Sequence, residues 1–274
     1  MKNNSYVKRQ SRKVVAIFAI VAIALVGLLV AISIHTHWSY AIESSGEAIS
    51  WGVTPNKEGR TPEPPKNGAK MLEDFGGMFV MPRENEQAED MKKVYFTFDL
   101  GYEAGYTAEV LDILKEHNIK GVFFLCGNYI KEEALIKRML VEGHEIGNHT
   151  DKHKDLPMLS NEAITKDIAD FDIKYKEAFS GSSDLRFFRP PKGRFCKRTL
   201  EATKEQNLKC MMWSIAIVDW GKEEIDAKKS ADKITSRLHD GAIILLHITN
   251  AGTPKMLRQL IPQMQQAGYS AGNF

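Results

Sequence analysis

The stretch AIILLH at residues 242–247 puts five apolar residues in a row and ends on a histidine. A strand that is apolar on both faces is typical of a parallel sheet covered by helices, because a sheet with one wet face needs alternating polar residues. Outward from this stretch, similar short runs alternate with helix-period segments from Val94 onward. This alternation predicts an α/β fold, a distorted (β/α) barrel with about seven parallel strands.

The expected elements follow from the apolar periodicity. Strands are predicted at 94–98, 121–125, 145–148, 187–189, 210–213, 215–218 and 242–247. Helices are predicted at 107–117, 131–142, 161–179, 198–206, 230–238 and 254–266, with Ser160 as the N-cap of the third.

Five polar clusters lie at the carboxyl ends of predicted strands. They are TFDLG at 97–101, HTDKH at 149–153, RPPKG at 189–193, DW at 219–220 and the histidine at 247. Each has an ordinary structural explanation when taken alone, since an Asp after a strand often forms a turn and a single His fits a core edge. In a barrel, however, the carboxyl ends of the strands meet at one mouth, so their succession favours a shared site. The two histidines at i and i+4 have a spacing that can bind zinc.

The chain is predicted to have four parts. Residues 1–13 hold five cations and no acid, and residues 14–34 are 21 uncharged residues that span roughly 30 Å as a helix. This predicts a cytoplasmic tail and a transmembrane segment in the cell membrane, with the α/β domain at 93–274 outside. Because 39–41 (SYA) resembles a cleavage site, export after signal cleavage is the alternative. Residues 35–92, with half of the ten prolines, are expected to form a stalk or strap, and whether they bind a protein partner stays open.

Charge and cysteine content bear on the binding partners and on disulfide bonds. The net charge is +2, but five of the 37 Lys and Arg residues lie in the tail, so the main body is slightly acidic. Nucleic-acid binding needs a basic domain or face, so this balance predicts no nucleic-acid partner. The three cysteines have no CxxC spacing, and a disulfide between two of them is possible in an exported protein. Cys126 and Cys210 adjoin apolar runs, which favours buried structural thiols.

Taken in order, TFDxG, HTxxH, RPPKG, a W…DW segment and LLH resemble the five motifs of the polysaccharide deacetylase family (chitooligosaccharide deacetylase-like, carbohydrate esterase 4). The similarity covers about 94–270. GYEAG at 101–105 and SWG at 50–52 resemble one branch in particular, the δ-lactam-biosynthetic N-acetylmuramic acid deacetylases of peptidoglycan in the spore cortex. The resemblance implies hydrolysis of an N-acetyl amide on peptidoglycan glycan strands. It also implies a divalent metal, usually zinc, with cobalt or manganese as alternatives.

The resemblance assigns catalytic roles to particular residues. His149 and His153 would hold the metal, which polarises the acetyl carbonyl and acidifies water. Asp99 would take the proton of the water, and Arg189 would pair with Asp99 and keep it ionised.

The resemblance assigns protonation of the leaving group to a second pair of residues. His247 would protonate the departing nitrogen, and Asp219 would orient the His247 ring and favour its charged form. A backbone N–H near Lys192 is a candidate oxyanion donor. The residues expected to bind the sugar are Trp213, Trp220, Lys192 and Tyr102, although buried packing is the alternative for the two tryptophans.

One position departs from the family pattern. Most members have a second Asp in the first motif as the third metal ligand, and this chain has Leu100. The departure predicts weaker metal binding, with water or substrate in the vacant ligand position, and it leaves the identity of the metal open. Asp151, which lies between the two histidines, either replaces the ligand or serves as a turn residue. Two alternatives to the muramic acid enzyme stay open, the first because sequence does not give the shape of the groove and the second because of Leu100. One is a deacetylase of peptidoglycan N-acetylglucosamine or chitin oligomers, and the other is a wall-binding pseudoenzyme.

Overall fold

The structure, a computed structural model, describes residues 21–33, 47–56, 59–83 and 92–274. It divides the chain into two compact units, Met1–Gly46 and Glu47–Phe274. Residues 21–33 of the first unit are helical. Among the residues described, no helix is both long and apolar enough to cross a membrane. The basic tail, the possible cleavage site and residues 14–20 and 34 of the apolar segment lie outside the described residues, so the predicted span stays a prediction.

The second unit contains all the strands found in the described part of the chain. The strands are β1 (Ile49–Ser50), β2 (Lys92–Leu100), β3 (Gly121–Leu125), β4 (Glu145–Asn148), β5 (Phe187–Phe188), β6 (Arg194–Phe195), β7 (Lys209–Cys210), β8 (Ile215–Ala216), β9 (Ala242–His247) and β10 (Tyr269–Ala271). The helices of this unit are α1 (Gly68–Asp74), α2 (Thr107–Glu116), α3 (Glu133–Val141), α4 (Asn161–Ala178), α5 (Lys197–Glu205), α6 (Ala227–Thr235) and α7 (Gly252–Gln266).

Seven parallel strands form a curled half-barrel, which confirms the predicted α/β class and strand number. Their order is β7-β5-β4-β3-β2-β9-β8. The sheet is open, because β7 and β8 form its two edges and are not paired with each other in the described residues. β10 adds a further parallel partner at the start of β2, and β1 pairs antiparallel with β6 outside this sheet.

Most predicted elements are confirmed, and the exceptions have a local cause. β3, β4 and β9 have the predicted bounds, and the Ser160 side chain accepts a hydrogen bond from the Ala163 N–H as the N-cap of α4. The strand predicted at 210–213 ends at Cys210 instead. Its continuation leaves the sheet ladder because the Met212 N–H donates to the Met78 carbonyl oxygen at 2.7 Å.

Side chains of the central strands alternate between two apolar layers. Tyr95, Val122, Phe124 and Ile243 pack together inside the half-barrel, whereas the alternate residues of the same strands pack against the helices. A strand side chain two residues further along therefore faces the same layer. This alternation decides which side chains at the strand ends face the interior.

Residues 47–83 belong to the same compact unit as the half-barrel. Trp51 is buried there, and its Nε1–H donates to the Trp213 carbonyl oxygen at 2.9 Å. The Met78 N–H donates to the Cys210 carbonyl oxygen at 2.9 Å, and the Met81 N–H donates to that of Gly241 at 2.8 Å. This segment thus joins the edge strand β7 to the start of β9. The functional domain boundaries given above stay a prediction.

Candidate active site

A groove with a cavity of about 690 Å³ opens at the carboxyl ends of the strands. Eight of the ten residues predicted for the site line it. They are Asp99, Tyr102, His149, His153, Lys192, Trp213, Trp220 and His247. Arg189 and Asp219, the other two, are fully buried behind the lining. The strand ends therefore bring the five polar clusters together, as the barrel prediction requires.

The backbone ladder continues one residue past each strand and fixes the positions of the site residues. The Cys126 N–H donates to the Leu100 carbonyl oxygen at 3.0 Å, and the His149 N–H donates to that of Leu125 at 3.0 Å. The Arg189 N–H donates in the same way to the Asn148 carbonyl oxygen at 2.9 Å. Sheet hydrogen bonds, rather than loop packing, thus hold these residues in register.

Asp99 and Arg189 form a buried ion pair. A guanidinium nitrogen of Arg189 lies 2.8 Å from Asp99 Oδ1, and the same nitrogen donates to Thr97 Oγ1 at 2.9 Å. The other guanidinium nitrogens donate to the carbonyl oxygens of Met211 and Met212. Burial alone would raise the pKa of Asp99, but the surrounding positive charge, that of Arg189 first, together with the Arg189 hydrogen bond outweighs burial and holds that pKa below its usual value. Asp99 is therefore an ionised carboxylate with a fixed direction.

His247 and Asp219 form the second pair. The fully buried Asp219 accepts two hydrogen bonds from His247, one from the backbone N–H at 2.7 Å and one from Nδ1 at 2.8 Å. Burial disfavours the charged ring, but the Asp219 hydrogen bond and charge outweigh burial and raise the pKa of His247 above its usual value. With Nδ1 bound to Asp219, Nε2 is left for a substrate.

His149 is set up as a neutral nitrogen donor. Its Nδ1–H donates to the Arg189 carbonyl oxygen at 2.7 Å, so Nε2 keeps its lone pair. Burial lowers the pKa of His149 to about 4, which keeps the ring neutral near neutral pH. Nε2 lies 3.5 Å from Asp99 Oδ2. The ligand position and the carboxylate are thus immediate neighbours.

A strained turn brings His153 to His149. Thr150 and His153 have φ of +67° and +52°, in the left-handed region of the backbone that residues other than glycine rarely adopt. The Thr150 N–H donates to Asn148 Oδ1 at 2.8 Å, and the His153 N–H donates to Thr150 Oγ1 at 2.9 Å. The two imidazole rings lie 5.0 Å apart between their centroids. These hydrogen bonds stabilise the strained backbone of the turn. Strain of this kind is common at functional sites.

The donor set fits a divalent cation. Ligand atoms of His149, His153 and Cys126 all lie within 4.8 Å of one another. Two imidazole nitrogens and one sulfur suit zinc or cobalt. Leu100 is buried in the layer that faces the helices, so no donor comes from that position. Asp151, the alternative ligand, is ion-paired with Lys174 at 2.5 Å and Lys152 at 2.9 Å.

The groove walls combine one fixed aromatic ring with two exposed ones. Trp213 packs on Gly193, where a Cβ would lie 2.5 Å from the ring and φ is +62°, so a side chain at 193 would displace the tryptophan. Trp220 is 62% exposed and Tyr102 57% exposed. Buried packing therefore does not account for Trp220. Lys192 is exposed on the same groove.

Sequence reasoning missed two contributions to the site. Glu103 accepts hydrogen bonds from Gly105 N–H, Thr107 Oγ1–H and Tyr129 O–H, which fixes the loop that carries Tyr102. Its only sequence signal was its place in GYEAG. Cys126 was interpreted as a buried structural thiol. It is buried, but it also continues the i, i+2 series of Val122 and Phe124, whose side chains face the interior of the half-barrel. The strand pattern alone could have given this signal.

A buried Asp–Arg pair, a His–Asp pair and a cluster of metal-binding atoms around one groove define an α/β half-barrel hydrolase. A family model described as polysaccharide deacetylase matches residues 86–211. The peptidoglycan-N-acetylmuramic acid deacetylase PdaA of Bacillus subtilis is 34% identical over 228 residues, which cover 82% of this chain and 83% of the relative. The peptidoglycan-N-acetylglucosamine deacetylase of Bacillus cereus is 33% identical over 183 residues, 64% of each chain.

The solved structure of Bacillus subtilis PdaA, a family 4 carbohydrate esterase, superposes with a TM-score of 0.75 at 32% identity. The superposition covers 82% of this chain and 94% of that one. The chain belongs to the polysaccharide deacetylase family, carbohydrate esterase family 4. The predicted family and the predicted enzyme class, a hydrolase of carbon–nitrogen amide bonds, are confirmed.

Proposed function

We propose that this chain removes the acetyl group from N-acetylmuramic acid in peptidoglycan, as a step toward muramic-δ-lactam in the spore cortex. The observation that carries the proposal is that the Asp99–Arg189 and His247–Asp219 pairs face one groove beside a cluster of ligand atoms. The choice of sugar is supported by the relative named for N-acetylmuramic acid, which is 34% identical over most of both chains. GYEAG at 101–105 supports the same branch.

Asp99 acts as the base of the proposed reaction. Its carboxylate accepts a proton from the attacking water while the water oxygen bonds to the acetyl carbon. Arg189 holds Oδ1 at 2.8 Å, so Oδ2 is the oxygen left to receive the proton. The ion pair keeps Asp99 ionised at neutral pH, which a base requires.

His247 acts as the acid. The carbon–nitrogen bond breaks as Nε2 gives its proton to the departing amine nitrogen, and the products are a free amino sugar and acetate. Asp219 holds Nδ1 and raises the pKa of His247, so the charged ring is available near neutral pH. The two pairs thus divide base and acid work between groups whose environments favour the required charge states.

His149 and His153 would hold the divalent cation, with zinc proposed first and cobalt or manganese as alternatives. When bound, the cation supplies Lewis-acid polarisation of the acetyl carbonyl. The neutral His149 ring, with Nδ1–H on the Arg189 carbonyl oxygen, presents Nε2 as a ligand. Trp213, Trp220, Tyr102 and Lys192 are proposed to hold the sugar.

Two alternatives are separated by the same experiment. The Bacillus cereus relative is named for N-acetylglucosamine, so that sugar is the second candidate. A wall-binding pseudoenzyme is motivated by Leu100, but a binding module needs neither buried proton-transfer pair. Acetate release by the purified full-length chain would be measured on muramic-acid-containing glycan strands with and without peptides, and on chitin oligomers.

The expected result is metal-stimulated release from peptide-free glycan strands that chelator abolishes. Asp99→Asn, which keeps the shape but not the base, is expected to lower kcat by about 100-fold or more. Because peptidoglycan strands carry both acetylated sugars, the sugar that gains a free amine is identified by mass spectrometry of the digested strands. A free amine on glucosamine, or release from chitin oligomers alone, would move the proposal to N-acetylglucosamine. No release from any glycan with any metal, by a protein with native circular dichroism, would support the pseudoenzyme.

We further propose a single-pass anchor at 14–34 that holds the catalytic unit on the outer face of the cell membrane. The support is the charge-free length of this segment and the five cations before it. In cells, the full-length chain is expected to stay in the membrane pellet after an alkaline wash. External protease should reach the catalytic unit in protoplasts. Recovery of a shortened chain in the medium would indicate signal cleavage instead.

A further inference from the structure

Two histidines leave the cation of the proposed function short of protein ligands. Leu100 has no donor atom, and strand alternation turns it toward the helices, away from the groove that Asp99 faces. Both oxygens of Asp151 are engaged by lysines, Oδ1 by Lys174 and Oδ2 by Lys152. Neither position thus offers a free donor atom, and the next candidates for a third protein ligand are the other strand ends around the groove.

Cys126 occupies such a strand end. It follows β3 directly, with the interior-facing parity of Val122 and Phe124, and its N–H continues the ladder to the Leu100 carbonyl oxygen at 3.0 Å. It is 2% exposed and lines the groove, and its Sγ lies 3.5 Å from the His149 carbonyl oxygen. The sulfur is within 4.8 Å of ligand atoms of both histidines.

We propose that the sulfur of Cys126 is the third protein ligand of the divalent cation, in place of the carboxylate that Leu100 cannot supply. This inference rests on the metal dependence in the proposed function. On binding, the S–H bond breaks, a sulfur–metal bond forms, and the proton leaves to solvent. Two imidazoles and one thiolate leave one tetrahedral position for water or substrate, as in catalytic zinc sites. Thiolate also shifts the preference toward zinc and cobalt and away from manganese.

Cobalt substitution tests the ligand directly, because a thiolate bound to Co²⁺ adds a sulfur-to-metal charge-transfer band in the near ultraviolet. The full-length wild type with Co²⁺ is expected to have this band, and Cys126→Ser is expected to lose it. Cys196→Ser is the matched control: Cys196 is also a buried free thiol, but it lies at the start of α5 outside the cluster, so the band should remain. A wild type that binds cobalt without the band, or a band that persists in Cys126→Ser, would overturn the proposal.

Two further measurements keep the proposal testable if Cys126→Ser does not fold. Zinc-edge X-ray absorption of the wild type needs no substitution, and it should contain one sulfur at about 2.3 Å. A zinc shell without sulfur would overturn the inference. By chelator competition, Cys126→Ser should bind zinc at least about tenfold more weakly, with a smaller change for manganese. Unchanged zinc affinity in a folded variant would count against the ligand.

Acetate release from the same preparations separates the two proposals. Release by a protein whose zinc shell lacks sulfur would overturn the Cys126 inference and leave the deacetylase intact. Sulfur-ligated zinc without acetate release from any glycan would support the ligand and contradict the deacetylase.

Discussion

Asp219 controls the His247 ring through two hydrogen bonds, one to the backbone N–H and one to Nδ1. Asp219→Asn keeps the size but removes the charge that raises the pKa of His247. Because the acid works only when protonated, activity is lost as pH rises through that pKa. The variant should therefore move the alkaline limb of the kcat/KM profile to lower pH and reduce kcat by about tenfold or more. An alkaline limb that does not move would assign it to another group.

At the residue scale, the sequence predicted the site residues whose reactive side chains lie at the ends of apolar strands. Asp99, His149 and His247 follow apolar strands, so their common mouth was predictable. Cys126 sits at an equivalent point, but a thiol after an apolar run is more often a core residue, and only its parity and the nearby histidines distinguish it. The burial of Arg189 behind Asp99 was equally invisible, because it depends on carbonyls that the chain presents after β7.

At the scale of elements, the loop between β2 and α2 depends on one carboxylate. Glu103 accepts from Gly105 N–H at 2.5 Å, Thr107 Oγ1–H at 2.5 Å and Tyr129 O–H at 2.7 Å. Glu103→Gln removes the charge and replaces Oε2, the oxygen to which both buried hydroxyls donate, with an NH2 donor, so the free energy of unfolding should fall by about 1–3 kcal/mol. Since this loop carries Tyr102, KM should rise more than kcat falls.

Denaturant unfolding and steady-state kinetics of the Glu103 variant check this expectation. Glu109→Gln is the control, because Glu109 is an exposed residue of α2 that lies 3.7 Å from Arg258 in a solvated ion pair. That substitution should change stability by less than about 1 kcal/mol. Equal effects of the two substitutions would mean that the loop does not depend on Glu103.

The turn between α3 and β4 carries a buried neutral histidine. His144 Nδ1 accepts from the Gly121 N–H at 3.1 Å, and burial lowers the pKa of His144 to about 4. The unfolded chain binds this proton below about pH 6.5 and the folded chain only below about pH 4, so stability is lost as pH falls between them. The loss from this one group reaches about 3 kcal/mol.

His144→Gln keeps an acceptor for Gly121 and removes the titration. The unfolding free energy of the variant should therefore fall less than that of the wild type when the pH drops from about 7 to about 5. The change with pH is compared, rather than the absolute stability, because glutamine also alters packing against Phe123. Parallel declines in the two proteins would assign the acid sensitivity to other groups.

Element prediction succeeded where a strand is long and lies at the centre of the sheet. β3 and β9 have the predicted bounds because their apolar runs are buried on both faces. The edge strands β7 and β8 are only two residues long, although the apolar pattern continues past both. β7 ends where the Met212 N–H turns to the Met78 carbonyl oxygen, and local sequence does not encode such a contact.

At the scale of the whole molecule, residues 47–83 were the least predictable part of the folded unit. They have no apolar period, because each buried side chain packs on a distant segment. Trp51 contacts Phe79 at 5.3 Å and Phe195 at 6.2 Å between ring centroids, and Met78 pairs with Met211. Sequence alone thus identified the half-barrel and its mouth, but for the segment before it sequence predicted only a stalk or strap at 35–92 and none of the contacts that residues 47–83 make with the half-barrel.

The two tryptophans at positions 51 and 220 test whether this segment supports the groove. Trp51 is 6% exposed and donates to the Trp213 carbonyl oxygen, so Trp51→Ala should lower the free energy of unfolding by about 3–5 kcal/mol. It should also raise KM, because Trp213 and the groove wall lose their support. Trp220→Ala, at a residue that is 62% exposed, should raise KM but change stability by less than about 0.5 kcal/mol. Denaturant unfolding and glycan kinetics of both variants separate the two roles. A stable Trp51→Ala protein with normal KM would mean that residues 47–83 only cover the half-barrel and do not shape its site.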